Sequence, residues 1–414
     1  MCGGWKMSGG WTANQIGFNS EEVILTSPDP IRGLDEPTRK TFGKQKYRFD
    51  GRKERERYKL CWSARSVIYP ELVLKQNHNA EYEPTDLFGV PTHAAFTNDF
   101  VNNAAETYPL PEDETPHPNT VFYRVEKLSV GEILDQFNSA MERIIEVARD
   151  KGALEGELDL AIDLTDWRYY GDGDDPMVLR VKPKKGTTKA FVLATVYAIV
   201  DGQRFTLKAI PVSSLSDKDE ILGDLLDYAK NIVDIGTLYV DRGFFTVDCI
   251  KAIKERGVKF LMPATKNDRV KREMEKGNPR VVDFEYGVHR KNPVNFNLGI
   301  VENDDEEVKT FATNHEVNED ELEKLFDMYS LRWGIETSYR VKHQFRPKTR
   351  TKKYEPRIFL FLFSVCLYNL WVLVNFQVMK RFGEDSEIYM TAKTFTDKMI
   401  EALPQPEPPP TDHN

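Results

Sequence analysis

At Glu157 the periodicity of the chain changes, and the order of elements that follows restricts the fold more than any other feature. ELDLAIDLT reads as a buried strand, and FVLATVYAIV (191–200) with RFTLKAIPV (204–212) reads as a hairpin turning at Asp201-Gly202. A helix is predicted from about Asp217 to Val233, capped by Ser216, then a strand at TLYVD (237–241), a helix through about Arg256 and a last strand at VKFLMPA. Three strands, helix, strand, helix, strand is the order of a mixed sheet flanked by helices, an α/β domain. Asp163 and Asp241 each fall at the carboxyl end of a predicted strand, the edge where open sheets of this kind bind ligands. If those strands are neighbours, the two carboxylates meet.

A third acidic group comes from YSLRWGIETSYRVK, residues 329–342. Tyr329, Arg332 and Glu336 are spaced by three and four, so on a helix they share one face. Such a face has two readings: a solvated helix with an Arg332–Glu336 pair, or a carboxylate among cations, Arg340 included, placed for a metal and a phosphate. The two strand-end aspartates favour the second. Asp163, Asp241 and Glu336 have no histidine or cysteine partner nearby in sequence, and oxygen-only donors select Mg²⁺ or Mn²⁺ over zinc. Two such ions about 4 Å apart activate a water or hydroxyl on one side of a phosphodiester and stabilise the leaving oxygen on the other. Tyr329 and Arg332 would hold a nearby phosphate.

Composition narrows the partner. The chain has 414 residues, room for two or three domains, and its 40% hydrophobic and 30% charged content describes a soluble globular protein. Cysteines at 2, 61, 249 and 366 have no metal or disulfide spacing, which points to reduced thiols and a cytoplasmic chain, and no secretory signal opens the sequence. A net charge of −9 argues against nucleic acid until its distribution is considered. Ten Lys/Arg face three acids between Thr38 and Lys59, and eight face Glu355 alone between Tyr339 and Arg357. Acid collects instead in DGDD (172–175), ENDDEE (302–307) and the C-terminal region, so basic surfaces for a polyanion coexist with an acidic total. IFLFLFSVCLYNLWVLV, residues 358–374, is at the short limit of the roughly 17–25 residues that span a bilayer and has no companion span. It reads as a buried core helix, with no membrane partner.

Taken in order, residues 1–37 read as a disordered lead and 401–414 as a proline-rich tail too poor in apolar residues to fold alone. Residues 38–152 read as a basic, helical DNA-binding region. Phe42, Tyr47, Phe49 and Tyr58 interleave with its cations, a mixture suited to phosphates and bases and equally to a solvated surface. Farther along, a short helix capped by Asn119 precedes a long amphipathic one with a Ser129–Glu132 capping box, either a helix-turn-helix or a packing module. Residues 153–262 form the first part of the core, and 263–317 a β-rich insertion in which KNDRVKREMEKGNPR shows no helical period. Residues 318–400 complete the core: a capping box at Asn318 and Glu321 leads into the Tyr329 helix, and the apolar helix covers the sheet.

Other features read blandly. GDGDD (171–175) lacks the order of a calcium loop and is an acidic turn, while KKGTTK (184–189) begins a strand and is no phosphate loop, although its lysines are candidates to touch DNA. Asp159 and Asp166 flank Asp163 as further candidate ligands, though four strand positions put Asp159 about 13 Å from it. His289, His315 and His343 form no metal spacing.

Three motifs occur together in order: D-x-T at Asp163 and Thr165 followed by Tyr169-Tyr170-Gly171, V-D-R-G-F at Val240 to Phe244, and Y-x-x-R-W-x-I-E at Tyr329 to Glu336. Over roughly residues 115–380 the chain resembles the DDE transposases of prokaryotic insertion sequences, most closely the archaeal members of the group with a Y-R-E-K signature and a β-insertion before the glutamate. That resemblance implies a ribonuclease-H-like core and a site of two Mg²⁺ or Mn²⁺ ions on Asp163, Asp241 and Glu336. It implies cut-and-paste transposition: cleavage of double-stranded DNA at terminal inverted repeats and strand transfer into target DNA, by a homodimer holding paired ends. Such an enzyme works at the nucleoid. Tyr329 and Arg332 would contact phosphates near the cleaved end, Arg242 a neighbouring backbone, and the insertion would help hold the end, often as a hairpin. The signature lysine is due seven residues after the glutamate, where His343 stands. Lys342, six after, is the first choice, with Arg340 and His343 as substitutes. The insertion has no tryptophan to stack on a base, leaving Phe284, Tyr286 and Phe296 as stand-ins or as core.

Overall fold

The structure, a computed structural model, describes residues 67–75, 80, 82, 84–108, 115–171, 173, 175–200, 203–302, 307–324, 327, 329, 345–383 and 389–401. The basic run at 39–59, the lead and the tail beyond 401 lie outside them. The chain divides into two compact units, residues 154–340 and residues 1–153 with 341–414. In chain order the described helices are α1 Pro84–Thr97, α2 Val101–Glu106, α3 Pro118–Val125, α4 Val130–Asp150, α5 Lys218–Lys230, α6 Val247–Glu255, α7 Asp268–Met274, α8 Tyr354–Phe382 and α9 Ala392–Glu401. The strands are β1 Glu157–Tyr169, β2 Val178–Lys184, β3 Thr187–Val200, β4 Gln203–Val212, β5 Asp234–Val240, β6 Lys259–Pro263, β7 Arg280–Tyr286, β8 Val294–Glu302 and β9 Val308–Thr313.

All the described strands join one mixed sheet in unit 154–340. β1 is central, antiparallel to β3 through Ile162↔Val196 and parallel to β5 through Ile162↔Val240. β6 extends the parallel side. β4 and β2 lie end to end along the far edge of β3, β4 against residues 192–200 and β2 against 187–191. The sequence does not announce β2, because an edge strand reading VLRVKPK is polar and carries Pro183, features that keep an unpaired edge from recruiting another chain. Its turn into β3 places Lys185 and Gly186 at φ 52° and 79°, the left-handed pair that a two-residue hairpin of this twist requires. The β-rich insertion is continuous with the core: β9 pairs with β6 through Leu261↔Thr313, and β8 and β7 follow.

Alternation along the strands gives the sheet two faces. Lys208 of β4, paired with Val196, holds its ammonium 4.4 Å from the ring of Tyr228 on α5, so α5 covers the face that carries Ile162 and Val196. Asp163 and Thr195 belong to the other face. Local capping departs from expectation in two places. Asp217, not Ser216, is the N-cap of α5; the Ser216 hydroxyl instead accepts from Ser213 N at 3.0 Å and closes the preceding turn. Asn119 does not cap α3; its backbone N–H donates to His117 Nδ1, the true cap, at 3.2 Å. A helix also forms where no period was legible: within KNDRVKREMEKGNPR, α7 starts on Asn267, whose side chain accepts from Arg269 N and Val270 N. With Val270 as its one buried residue, α7 is too short to show a period.

The helical unit is built on α4 and α8. The Ser129–Glu132 capping box forms, and α4 buries Ile133, Phe137, Ala140, Met141, Ile144 and Ala148 along one stripe. α8 is apolar on all sides and buried throughout its most apolar window; it is the one described helix long and apolar enough to cross a membrane. Phe359 lies 5.1 Å from Phe137, and Asn369 Nδ2 donates to Met141 Sδ at 3.0 Å. Trp371 Nε1 and Asn375 Nδ2 both donate to Met390 O, fastening α8 to the segment before α9. These contacts group α8 with α4, and they use the apolar stripe of α4 for packing.

Candidate active site

The register of β1 on β5 pairs Ala161 with Tyr239 and Ile162 with Val240. Asp163 is the next residue on β1, and Asp241 is the residue that follows the end of β5. Parallel neighbours are about 4.8 Å apart and residues in register share a face, so the two carboxylates emerge side by side on the Ala161–Tyr239 face. Contrary to the sequence reading, β1 does not end at Asp163. It continues to Tyr169 because β3 keeps pairing with it as far as Tyr169↔Lys189. β5 stops at Val240, and Asp241 starts the 3₁₀ turn Arg242–Phe244. The aspartates therefore flank the point where one strand leaves and its neighbour goes on, a crevice of the kind that binds ligands in α/β sheets.

Each aspartate has its own support. Leu164 N donates to Asp163 Oδ1 at 2.7 Å, and buried Thr195, opposite it on β3, donates to Asp163 O at 3.5 Å while also meeting the Tyr197 hydroxyl. The Asp241 turn is closed by Phe244 N donating to Asp241 O at 2.9 Å and tied to α5 by Lys218 Nζ donating to Gly243 O at 3.0 Å. Phe244 is buried; Phe245 stacks on Tyr286 at 4.7 Å and meets Phe296 edge-on at 5.8 Å. The two phenylalanines after V-D-R-G thus anchor the turn, Phe245 in the insertion. Phe284 also packs on Phe296, at 5.5 Å, so the three aromatics considered for base stacking form a packed cluster with Phe245.

Arg242 is exposed beside Asp241. Glu307 is held below the usual carboxylate range, first by its hydrogen bond to Lys309, with a smaller part from the positive charge of Arg242. Tyr329 is helical and 4% exposed, its ring 5.2 Å from Phe311 in a cluster with Ala161, Tyr197, Tyr239, Leu261 and Leu322. Ala161 and Tyr239 precede the aspartates by two positions, so Tyr329 packs on the face that bears them, about 7 Å away along the strands. Arg332, Glu336, Arg340, Lys342 and His343 lie outside the described residues.

The two flanking candidates are engaged elsewhere. Asp159 accepts from Thr237 N at 2.8 Å and from the Tyr239 hydroxyl at 3.0 Å across a bulge where the register slips between Leu158 and Leu160. Gly236 is required opposite it, since a Cβ there would come within 2.7 Å of Asp159 Oδ1. Burial, with the adjacent Asp159 charge, pushes the Tyr239 phenol well above its ordinary value. His315 Nε2 lies 3.2 Å from Thr237 Oγ1, and burial holds that imidazole below its usual range. Asp166 pairs with Arg168 at 2.7 Å, whose other nitrogen donates to Lys182 O and ties β1 to β2. Thr195, Phe245 and the Asp159–Tyr239 tie escaped the sequence reading, because each acts through a partner that only the strand register supplies.

No group of three or more His, Cys, Asp or Glu converges among the described residues. The pair they do supply is two hard carboxylates side by side, one exposed, a donor set that fits Mg²⁺ or Mn²⁺ and has no soft ligand to favour zinc.

The family described as "Transposase DDE domain" matches residues 155–370, just over half of the chain. No curated protein matches it in sequence. Among solved structures the chain is similar to the one titled "Cryo-EM structure of piggyBac transposase synaptic complex with hairpin DNA", with a TM-score of 0.55 and 12% identity over 83% of this chain and 79% of that one. At that identity the likeness is one of fold, a ribonuclease-H-like mixed sheet flanked by helices. With the family matched across the stretch that carries both aspartates, the chain belongs to the DDE transposases.

Proposed function

We propose that this transposase moves a prokaryotic insertion sequence of the Y-R-E-K group by cut-and-paste transposition, cleaving duplex DNA at terminal inverted repeats and joining the freed ends to target DNA. The observation that supports the reading most is the β1–β5 register, which sets Asp163 beside Asp241 on the face where Tyr329 packs. Glu336, seven residues after Tyr329 in the sequence, supplies the third carboxylate. These three residues would hold two Mg²⁺ or Mn²⁺ ions, which when bound would supply the Lewis acidity for attack on a phosphodiester and for departure of the leaving oxygen.

The rest of the work belongs to the chain. Arg242, exposed beside Asp241, takes a backbone phosphate on one side of the scissile bond. Arg332, with Lys342 or Arg340, takes the other, so the strand is fixed in line before reaction. Residues 38–152 contribute DNA contacts, and two copies hold paired ends at the nucleoid in the cytoplasm.

The test supplies purified protein with duplex ends copied from the inverted repeats that flank its gene, a circular target and Mg²⁺. Joined product is expected, and chelator or any of Asp163→Asn, Asp241→Asn and Glu336→Gln should remove it. Hydrolysed ends without joined product would leave a nuclease. Joining by all three variants would remove these residues from the site.

A further inference from the structure

A pocket of about 360 Å³ in the helical unit takes no part in the chemistry above, and Asn102, Asn119, Tyr123, Thr349, Arg350 and Thr351 line it. One wall is the basic segment 346–353, RPKTRTKK, which is strapped down by its backbone. Lys348 N donates to Asp99 O at 2.9 Å, Val101 N donates to Lys348 O at 3.0 Å, and Arg357 Nε donates to Thr351 O at 2.7 Å. The opposite wall is α3. Glu126, the one acid on the lining, is neutralised by Lys353 at 2.6 Å and does not oppose an anion.

The side chains left facing the space have the chemistry of nucleotide recognition. Tyr123 is 57% exposed, unusual for an aromatic on a helix of this packed unit, and Lys127 Nζ sits 4.2 Å from its ring centre. Arg350 lies 5.0 Å from the Phe100 ring, a stacked guanidinium fixed at the rim. Two amides offer donors and acceptors to a base edge, and two hydroxyls flank the guanidinium. The pocket is within the range of about 300–1,000 Å³ typical of sites for small organic groups.

We propose that this pocket takes one unpaired nucleotide of a DNA strand, its base stacked on Tyr123 against the amides of Asn102 and Asn119 and its phosphate on Arg350. The assignment rests on DNA as the substrate of this chain, and it adds a contact remote in sequence from the aspartate pair.

Fluorescence anisotropy tests it, using the full-length protein in chelator with two labelled probes, a short single strand of mixed sequence and the duplex of the same sequence. Tyr123→Ala is expected to weaken single-strand binding about tenfold and to leave duplex binding unchanged, since base stacking is what the ring supplies. Tyr123→Phe keeps the stack and should bind like the parent. Arg350→Ala should lower the slope of log affinity against log salt by about one. Tyr123 is exposed, so its truncation leaves the packing intact, and a thermal melt matching the parent checks this. Unchanged single-strand affinity in Tyr123→Ala would overturn the proposal, as would equal losses on both probes. The assay involves no metal and no cleavage. A chain that binds as described but never joins ends would therefore refute the transposition reading alone.

Discussion

In the metal-free protein the two aspartates at the β1–β5 mouth repel each other, so replacing either by asparagine should raise stability while abolishing the response to divalent ion. Parallel backbones in register lie about 5 Å apart, which sets the scale for the separation of the two carboxylates. Two unit charges at that distance interact by about 3 kcal/mol at an effective dielectric of 20 and by about 0.8 kcal/mol in water. Asp241 is exposed and Asp163 half-buried, which puts the gain near the lower end, about 1 kcal/mol. Asparagine at 163 keeps an oxygen that can accept from Leu164 N. Mn²⁺ at about a hundred times its dissociation constant should add about 2.7 kcal/mol to the parent and nothing to a variant that cannot bind it. Urea unfolding in chelator and in Mn²⁺ reads both effects. Asp163→Asn and Asp241→Asn should start about 1 kcal/mol above the parent and finish about 2 kcal/mol below it, a crossing that repulsion and ligation together demand. A variant less stable than the parent in chelator and still stabilised by Mn²⁺ would refute the pairing.

Three further outcomes follow from the supports of the site and from the helical unit. Tyr239→Phe removes a hydrogen bond to the Asp159 carboxylate and should cost about 1.5–3 kcal/mol while the Mn²⁺ response stays intact; loss of that response would draw Asp159 into the metal site. Phe245→Ala should cost about 3–5 kcal/mol in the same urea assay and weaken Mn²⁺ binding, because the Asp241 turn loses its anchor in the Tyr286–Phe296 cluster; an unchanged Mn²⁺ midpoint would show that the turn holds its shape without it. Lys75, then the backbone and hydroxyl of Ser129, hold Glu132 at about 2 against an ordinary 4.5. The folded value is the lower one, so the stabilisation is full above pH 4.5 and is lost as pH falls toward 2. Thermal melts of Glu132→Gln should lie below the parent at neutral pH and converge with it across that window; a gap persisting at pH 2 would contradict the assignment.

Element type from 157 to 263, the edge strand β2 apart, was legible in the amino-acid sequence because the information is local. Runs such as LDLAI and TLYV have the length and apolar content of buried strands, Ser129 and Glu132 announce a helix start, and a strongly apolar stretch such as 358–374 is stable only when enclosed. The family was legible for the same reason, each motif being a short contiguous string.

Partner and register were not, since they join residues far apart in the chain. Thr237 N reaches Asp159 over 78 positions, and Asn369 reaches Met141 over 228. Only the folded sheet decides that β1 runs on past Asp163 while β5 stops, that Asp159 is taken up by Tyr239 instead of facing a metal, and that β9 docks on β6 so that the insertion prolongs the core. The physical reason is that a strand's side-chain pattern states which residues share a face but not which neighbour lies beside it. That choice is made by the burial and hydrogen bonding of the whole sheet at once.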